Sequence, residues 1–450
     1  MNTLKKLLFL LTLEERKKLL LFLILVSIVA SIEMLGVASI LPFMAVLTNP
    51  DIIETNVTLN SIFEYSKIVG IYNSQQFLFA LGVSVFILLL LTLTLKALTT
   101  YLQVRFTEMF NYSISKRLIE DYLYQPYSWF LNRNSADIGQ TILAEVATVV
   151  GSGIKPMIEL ISKSIIAIAI IGLLIVIDPK LSIIVFVLLS GSYGLIFYFI
   201  RTYLDVIGKK RLKSNELRFL AVSEAFGASK EVKVAGLEQT YIDQFSKSAK
   251  IFAKTQASAS VLTLLPRFFL EALIFGGMLL IVLFTMAQTT TFINILPIIT
   301  LYAFAGYRLM PTIQQIYISF SKLTFAIPAV DKLYSEINNL KPFNKNQSQE
   351  NLFFNKYIQL KNIDYIYPNV SRTTLKNINI TIPANTTVGL IGATGSGKTT
   401  TVDIILGLLE AQKGTLEVDG KVITKKNVRS WQRNIGYVPQ HIYLSDNTVA

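Results

Sequence analysis

The sequence predicts an α-helical six-span transmembrane domain followed by the N-terminal part of an α/β P-loop NTPase domain. Three observations carry this. The composition is that of a membrane protein. Six apolar stretches alternate with basic and non-basic loops. A glycine-rich phosphate-binding pattern sits between an apolar strand and a helix near the C-terminal end.

Of the 450 residues, 52% are hydrophobic and only 16% are charged, and mean hydropathy is +0.51. Soluble domains carry about 25% charged residues, so a soluble or disordered chain is a poor fit. Net charge is +13, from 42 Lys and Arg against 29 Asp and Glu. Such an excess suits nucleic-acid binding or the cytoplasmic loops of a membrane protein. The basic residues fall between apolar spans, so the second is expected and no nucleic-acid partner is. With no cysteine and one histidine, disulfides, thiolate chemistry and a histidine-rich metal site are set aside.

The first element, residues 1–18, reads as an amphipathic helix on the membrane surface: basic and apolar residues mix, and charges resume at Glu14 to Lys18 without a cleavage site. A span needs about 20 apolar residues. Six qualify, near Leu19–Leu41, Phe77–Leu95, Ile158–Ile177, Leu181–Ile200, Val261–Met286 and Phe292–Met310. Lys5, Lys6, Arg16, Lys17 and Lys18 precede the first. The following loops hold one, six, one, eleven and no basic residues in turn. The positive-inside rule then places both termini in the cytoplasm. The two long cytoplasmic loops look helical, as if the spans continue past the bilayer and turn back through short crosswise segments. Outside, SIFEYSKIVGIY reads equally as a short amphipathic helix or a packed loop.

The transmembrane domain is assigned to 19–330, a polar linker to 331–350 and the nucleotide-binding domain to 351–450. In the last, YIQLKNIDYIY, NINITI, TVGLIG, TLEVDG and NIGYVPQ read as strands and TTTVDIILGLLE as a helix.

Gly392-Ala393-Thr394-Gly395-Ser396-Gly397-Lys398-Thr399 matches G-x-x-x-x-G-K-[ST]. Glycines let successive backbone N–H groups turn inward around phosphates, and the helix N-terminus adds positive potential. Lys398 is expected to reach the β- and γ-phosphates of a nucleotide and Thr399 to ligate Mg²⁺, with Thr400 beside it. Gln440 ends the NIGYVPQ strand, where its amide would hold Mg²⁺ or a water, or simply close a polar strand end. Tyr367 would stack an adenine, or pack beside Pro368.

Charges inside spans are costly and often functional. Glu33, Lys96, Arg267, Glu271 and Arg308 stand out. Arginines there suit a phosphate-bearing substrate. The competing expectation is that Arg267 pairs with Glu271 four residues on, while Lys96 and Arg308 snorkel to the interface. Glu33 needs an interhelical partner or a cavity. Pro42, Pro266, Pro297 and Pro311 are expected to kink their helices.

Six spans with long helical loops, then IDYIYP, GLIGATGSGKTT, GTLEVDG and NIGYVPQ in that order, resemble an ATP-binding cassette (ABC) exporter half-transporter with the type IV fold. The resemblance makes Tyr367 the A-loop tyrosine, Gly392 to Thr399 Walker A and Gln440 the Q-loop glutamine. It makes segments near Gln125–Asn132 and Glu224–Lys233 coupling helices. SIEMLGVASILPF, LPRFFLEAL and GYRLMPTIQQI look most like bacterial lipid-linked oligosaccharide flippases. The implied function is ATP-driven flipping or export of a lipid-linked oligosaccharide or related amphiphile across a bacterial cytoplasmic membrane. ATP and Mg²⁺ are the implied cofactors. The implied partners are membrane lipid and a second half-transporter, identical or not. Export of peptide, bacteriocin, lipid or drug is the alternative. The signature, Walker B and switch-histidine motifs of the family are not among these residues, and His441 is read as a surface residue. The chain is therefore expected to be part of a longer protein and not hydrolytic by itself. Were Ala450 the natural end, a non-hydrolytic nucleotide-binding membrane subunit would be expected. A membrane-anchored P-loop kinase is disfavoured by Gln440 and the long loops.

Overall fold

The computed structural model describes residues 3–68, 70–177, 179–287, 292–340, 352–368 and 372–439. Two compact units are present: residues 1–119 with 135–339, and residues 120–134 with 340–450.

The first unit is helical. α1 (Thr3–Leu10) buries Leu7 and Leu10. α2 (Leu13–Ala38) follows after Thr12, whose side chain accepts from the Glu15 N–H while the Glu15 carboxylate accepts from the Thr12 N–H. This reciprocal cap satisfies two N–H groups that a helix start leaves orphaned, and it breaks the expected 1–18 helix in two. The first apolar span is also split: α2 ends before Ser39, and α3 (Ile40–Thr48) restarts with Pro42 in its first turn, where a missing N–H costs nothing. α4 (Ile52–Thr55) leads to α5 (Val57–Lys67), capped by Asn56. The segment expected outside is thus helical, with Leu59 and Phe63 packed against Val46, Ile53 and Phe77.

α6 (Ser74–Leu123) has 50 residues. At 1.5 Å per residue it is about 75 Å long, far more than the ~30 Å hydrocarbon core. The return path is α8 (Ser135–Gln140), a π-helical turn at Thr141–Glu145, α9 (Val146–Val149), a second π-helical turn at Val150–Ile154, and α10 (Lys155–Ile177). α11 (Pro179–Gly227), the crosswise α12 (Ser229–Ala235) and α13 (Glu238–Ala287) repeat the pattern, and α14 (Phe292–Asn339) closes the unit. α13 and α14 run unbroken through Pro266, Pro297 and Pro311. α14 also continues into the stretch expected as linker, because Leu333 is fully buried there.

Among the described residues, three helical stretches are long and apolar enough to cross a membrane: Leu13–Thr48, Ser74–Leu123 and Ser135–Ile177. The other expected spans fall on α11, α13 and α14, many of whose side chains lie outside the described residues. An apolar core joins α2, α10, α11 and α14 through Ala30, Ile166, Ile170, Tyr193, Leu309 and Tyr317.

In the second unit, α7 (Tyr127–Phe130) is the first crosswise segment. β1 (Tyr357–Tyr365), β2 (Leu375–Pro383), β3 (Lys413–Val418) and β4 (Lys421–Val422) form an antiparallel sheet of order β2-β1-β3-β4. α15 (Lys398–Ile405) and α16 (Val428–Gln432) pack on it. The core holds Leu360, Ile363, Leu375, Ile404, Leu416 and Trp431.

Two expected strands do not form. TVGLIG and the described part of NIGYVPQ pair with no strand among the described residues, and Ile391 and Val438 are 98% and 85% exposed. An apolar run becomes a strand only where a neighbour takes up its N–H and C=O groups, and no described segment lies alongside either.

The β3–β4 hairpin turns on Asp419-Gly420, both at positive φ, as a two-residue Asp-Gly loop requires. The Asp419 carboxylate also accepts from the backbone N–H of Asn355, Lys356 and Tyr357 at 2.7–2.8 Å. Those bonds hold its pKa below the usual carboxylate value. A depressed folded pKa contributes stability that is present above the unfolded pKa and lost as pH falls through the folded one. Asp419→Asn is therefore expected to lower the melting temperature at pH 7. The gap from the unaltered chain should close on acidification below about pH 4. A gap independent of pH would remove the carboxylate's role.

A candidate nucleotide site and a charged cluster among the membrane helices

The P-loop lies between the unpaired segment ending at Ile391 and α15. Gly395 and Gly397 have φ of +79° and +90°, so the chain turns where other residues are strained. A Cβ on Gly397 would also stand 2.5 Å from a Leu375 methyl, so this glycine is fixed by space as well as by backbone angle. Ser396 N–H donates to the Ala393 carbonyl. The Lys398 ammonium folds back to donate to the carbonyls of Gly392 and Ala393, at 2.7 and 2.9 Å. Residues 391–396 are exposed, as is Thr399, so the loop backbone and the threonine hydroxyl are open to a ligand. Thr401 closes the first turn of α15 through its hydroxyl to the Gly397 carbonyl.

Tyr367 is brought to this loop. Its hydroxyl hydrogen-bonds the buried Thr400 hydroxyl at 3.1 Å, and its ring meets Tyr365 edge-on, with centroids 5.0 Å apart. Gln440 and His441 lie outside the described residues. The geometry fits a phosphate chain: an open glycine turn, a helix N-terminus, an ammonium and a hydroxyl. The loop N–H groups and Lys398 would hold the phosphates of ATP, and Thr399 would ligate Mg²⁺.

Within the helical unit the charges are arranged differently from a set of interfacial snorkels. Glu33 is 2% exposed. It accepts from Lys96 Nζ at 2.5 Å and from Arg308 Nη1 at 3.5 Å. Lys96 and Arg308 therefore turn inward, because a buried carboxylate without a partner would be costly. Among the described residues, Glu33 Oε2 and Arg308 Nε are buried without a hydrogen-bond partner.

Beside this triad stands Lys163, half-buried and within electrostatic reach of Lys96, Glu33 and Glu159. Glu159 accepts from Gln103 Nε2 at 3.2 Å and Gln315 Nε2 at 2.7 Å. Among the described residues the cluster thus sets three cations against two carboxylates. Sequence reading missed Lys163, Glu159, Gln103 and Gln315. The signal was available, since Lys163 and Glu159 are four residues apart near the start of a span.

Arg267 and Glu271 form the expected i,i+4 pair, Nε to Oε1 at 2.7 Å, on the exposed face of α13. Among the described residues no hydrogen bond or ion pair joins them to the Glu33 cluster.

Comparison with known proteins agrees with this geometry. The ABC transporter family model matches residues 375–450. An ATP-dependent lipid A-core flippase of Wigglesworthia glossinidia brevipalpis is 22% identical over 349 residues, 75% of this chain and 58% of the flippase. A lipid A-core flippase of a Polaromonas species is 21% identical over 71% of this chain and 54% of its own length. The chain thus spans a little over half of these relatives. Among solved structures, a bacterial Atm1-family ABC exporter with ATP bound aligns with a TM-score of 0.67 at 15% identity. The alignment covers 92% of this chain and 71% of the exporter.

Proposed function

We propose that this chain, which has the architecture of a type IV ABC exporter half-transporter, belongs to a protein that uses ATP to move an anionic, lipid-linked amphiphile across the bacterial cytoplasmic membrane. A polyprenyl-pyrophosphate glycan is the substrate class we favour. The observation that carries it is the cluster of Lys96, Lys163 and Arg308 against Glu33 and Glu159, buried or half-buried on α2, α6, α10 and α14, the first three of which carry membrane-spanning windows. A surplus cation in so apolar a setting is stabilised by an anion, and a diphosphate offers guanidinium and ammonium groups charge-assisted bonds. The relatives' names support a lipid substrate; the glycan reading rests on the resemblance of the membrane segments.

In this reading six helices span the membrane, with both termini and the P-loop unit cytoplasmic. Two half-transporters pair, and the crosswise segments α7 and α12 transmit closure of the nucleotide sites. ATP with Mg²⁺ supplies the driving reaction, a phosphoryl transfer to water. This chain's share is to grip the phosphates with the loop N–H groups and Lys398, to offer Thr399 to the metal, and to present Tyr367 to the base.

The test uses the protein expressed from its full coding sequence in vesicles, with a labelled polyprenyl-pyrophosphate glycan. ATP-dependent translocation is expected. Lys163→Gln is expected to weaken binding of the pyrophosphate lipid by roughly 10-fold or more, as loss of a charged hydrogen bond does. The polyprenyl alcohol lacking the pyrophosphate should bind weakly to both. Equal binding of lipid with and without pyrophosphate would overturn the anionic-substrate reading.

A further inference from the structure

Glu33 of α2 stands between cations from two other helices. It accepts from Lys96 Nζ of α6 at 2.5 Å and from Arg308 Nη1 of α14 at 3.5 Å. Both contacts fall on one oxygen, Oε1. Among the described residues Oε2 has no hydrogen-bond partner, and neither has Arg308 Nε. Two other carboxylates of the helical unit are satisfied more fully. Glu145 takes Arg211 on one oxygen and Asn215 and Gln140 on the other. Glu159 takes Gln103 on Oε1 and Gln315 on Oε2.

A buried ion pair holds well only when its geometry is good and its remaining lone pairs and protons are bonded. The Glu33–Arg308 contact meets neither condition. A separation of 3.5 Å is at the outer limit of a hydrogen bond, and one N–H of the guanidinium is idle. Its face lies over the Phe304 ring, 5.5 Å from the centroid. The Glu33 side chain is 1% exposed and that of Arg308 11%, whereas that of Lys96 is 33% exposed. The cluster is thus reachable at Lys96 and sealed at Glu33. An anion with several oxygens suits these cations better than Glu33 does. A diphosphate meets a guanidinium through Nε and Nη together and leaves further oxygens for an ammonium. It cannot do so while Glu33 occupies the same donors, since two anions side by side in an apolar setting repel strongly.

We propose that Glu33 is an internal competitor for the anionic head of the substrate: it neutralises Lys96 and Arg308 between substrates, is displaced when a phosphate-bearing lipid binds, and takes the two cations back on release. The proposal rests on the anionic-substrate reading above. Glu33 then sets specificity by exchange. A neutral amphiphile has nothing to give Lys96 and Arg308 in return and leaves Glu33 in place. A diphosphate replaces one oxygen with several. The returning carboxylate also keeps the head from being held too tightly to leave.

The experiment measures binding of a labelled polyprenyl pyrophosphate, and of the matching polyprenol, to the protein expressed from its full coding sequence in lipid nanodiscs. Glu33→Gln keeps the shape and an acceptor for Lys96 but removes the charge. It is expected to bind the pyrophosphate lipid about 10-fold tighter or more, the range for a charged hydrogen bond no longer competed for, and to release it correspondingly slowly. Polyprenol binding is expected to stay as it is. Glu33→Asp keeps the charge but draws it back by one methylene, and it covers the case in which Glu33→Gln does not fold. It is expected to bind the pyrophosphate lipid about 3-fold tighter. A salt bridge that only holds helices together would not give tighter binding when broken. If the folded variants bind the pyrophosphate lipid no tighter than the unaltered protein, while that protein still prefers pyrophosphate to alcohol, the exchange is overturned and the anionic-substrate reading stands. If the unaltered protein binds the two lipids alike, that reading falls and takes the exchange with it.

Discussion

Replacing Lys398 by alanine is expected to weaken ATP binding by roughly 10- to 100-fold, the range for loss of a charged partner, and, under the proposed function, to abolish ATP-driven movement of the lipid-linked substrate. Among the described residues the ammonium bonds only to the carbonyls of Gly392 and Ala393 and, at 3.4 Å, to the Ser396 hydroxyl. These contacts are local, so their loss changes the loop little. The fold should survive, and the defect should appear in nucleotide affinity and not in melting temperature. Lys398→Arg is expected to rescue poorly, because a planar guanidinium does not fit a turn that encloses a compact ammonium. Translocation that continues undiminished in Lys398→Ala would show that the P-loop does not power it.

The largest effect on stability is expected at Glu145, which is not among the residues proposed to hold a ligand. Its side chain is fully buried, and Arg211 is 3% exposed. Arg211 Nη2 donates to Glu145 Oε2 at 2.5 Å, while Asn215 Nδ2 and Gln140 Nε2 each donate to Oε1 at 2.8 Å. Arg211 Nη1 also donates to Thr148 Oγ1. Lys332 extends the network from α14 to Asp137 and Gln140. The π-helical turn ending at Glu145 brings it opposite α11, and such turns often mark positions kept for function.

Removing one member leaves a buried charge without its partner, which costs about 3–5 kcal/mol. Glu145→Ala and Arg211→Met should each lower the melting temperature of the chain in nanodiscs by many degrees. The double substitution Glu145→Leu with Arg211→Met should cost less than either single change, because it removes both charges at once. Additive losses would show that the two side chains do not act as a pair.

Neither Glu145 nor Arg211 stands out in the sequence. Glu145 lies in AEVATVV and Arg211 in KKRLKS, where a charge is unremarkable. Their 66-residue separation becomes a contact only because the helical stretch Ser135–Ile177 and α11, about 65 and 73 Å long, run side by side. The same holds for Glu33. Its cost inside a span is legible from the sequence, but its partners Lys96 and Arg308 sit 63 and 275 residues away. Reading each cation against its own span's end gave snorkelling, and the packed helices turned both inward.

The strands divide in the same way. YIQLKNIDY and KGTLEV became β1 and β3 because each lies beside the other in register, Leu360 opposite Leu416. TVGLIG has a similar apolar pattern and formed no strand. Strand propensity describes a side chain's fit to a pleated surface and cannot supply the surface.

What the sequence by itself determined is what is written within a few consecutive residues. That includes the helical membrane-type composition, the basic and non-basic loop alternation, the helices that overrun the bilayer, the P-loop with Lys398 and Thr399, and the Arg267–Glu271 pair. Each depends on periodicity or spacing along one element, which local backbone geometry converts directly into position. The tertiary structure alone decided which distant charges neutralise each other, which apolar runs found a sheet, and where the first span breaks. Those outcomes depend on desolvation and pairing between segments far apart in the chain. A buried charge or an open strand edge takes whichever partner the packed helices and sheet place beside it.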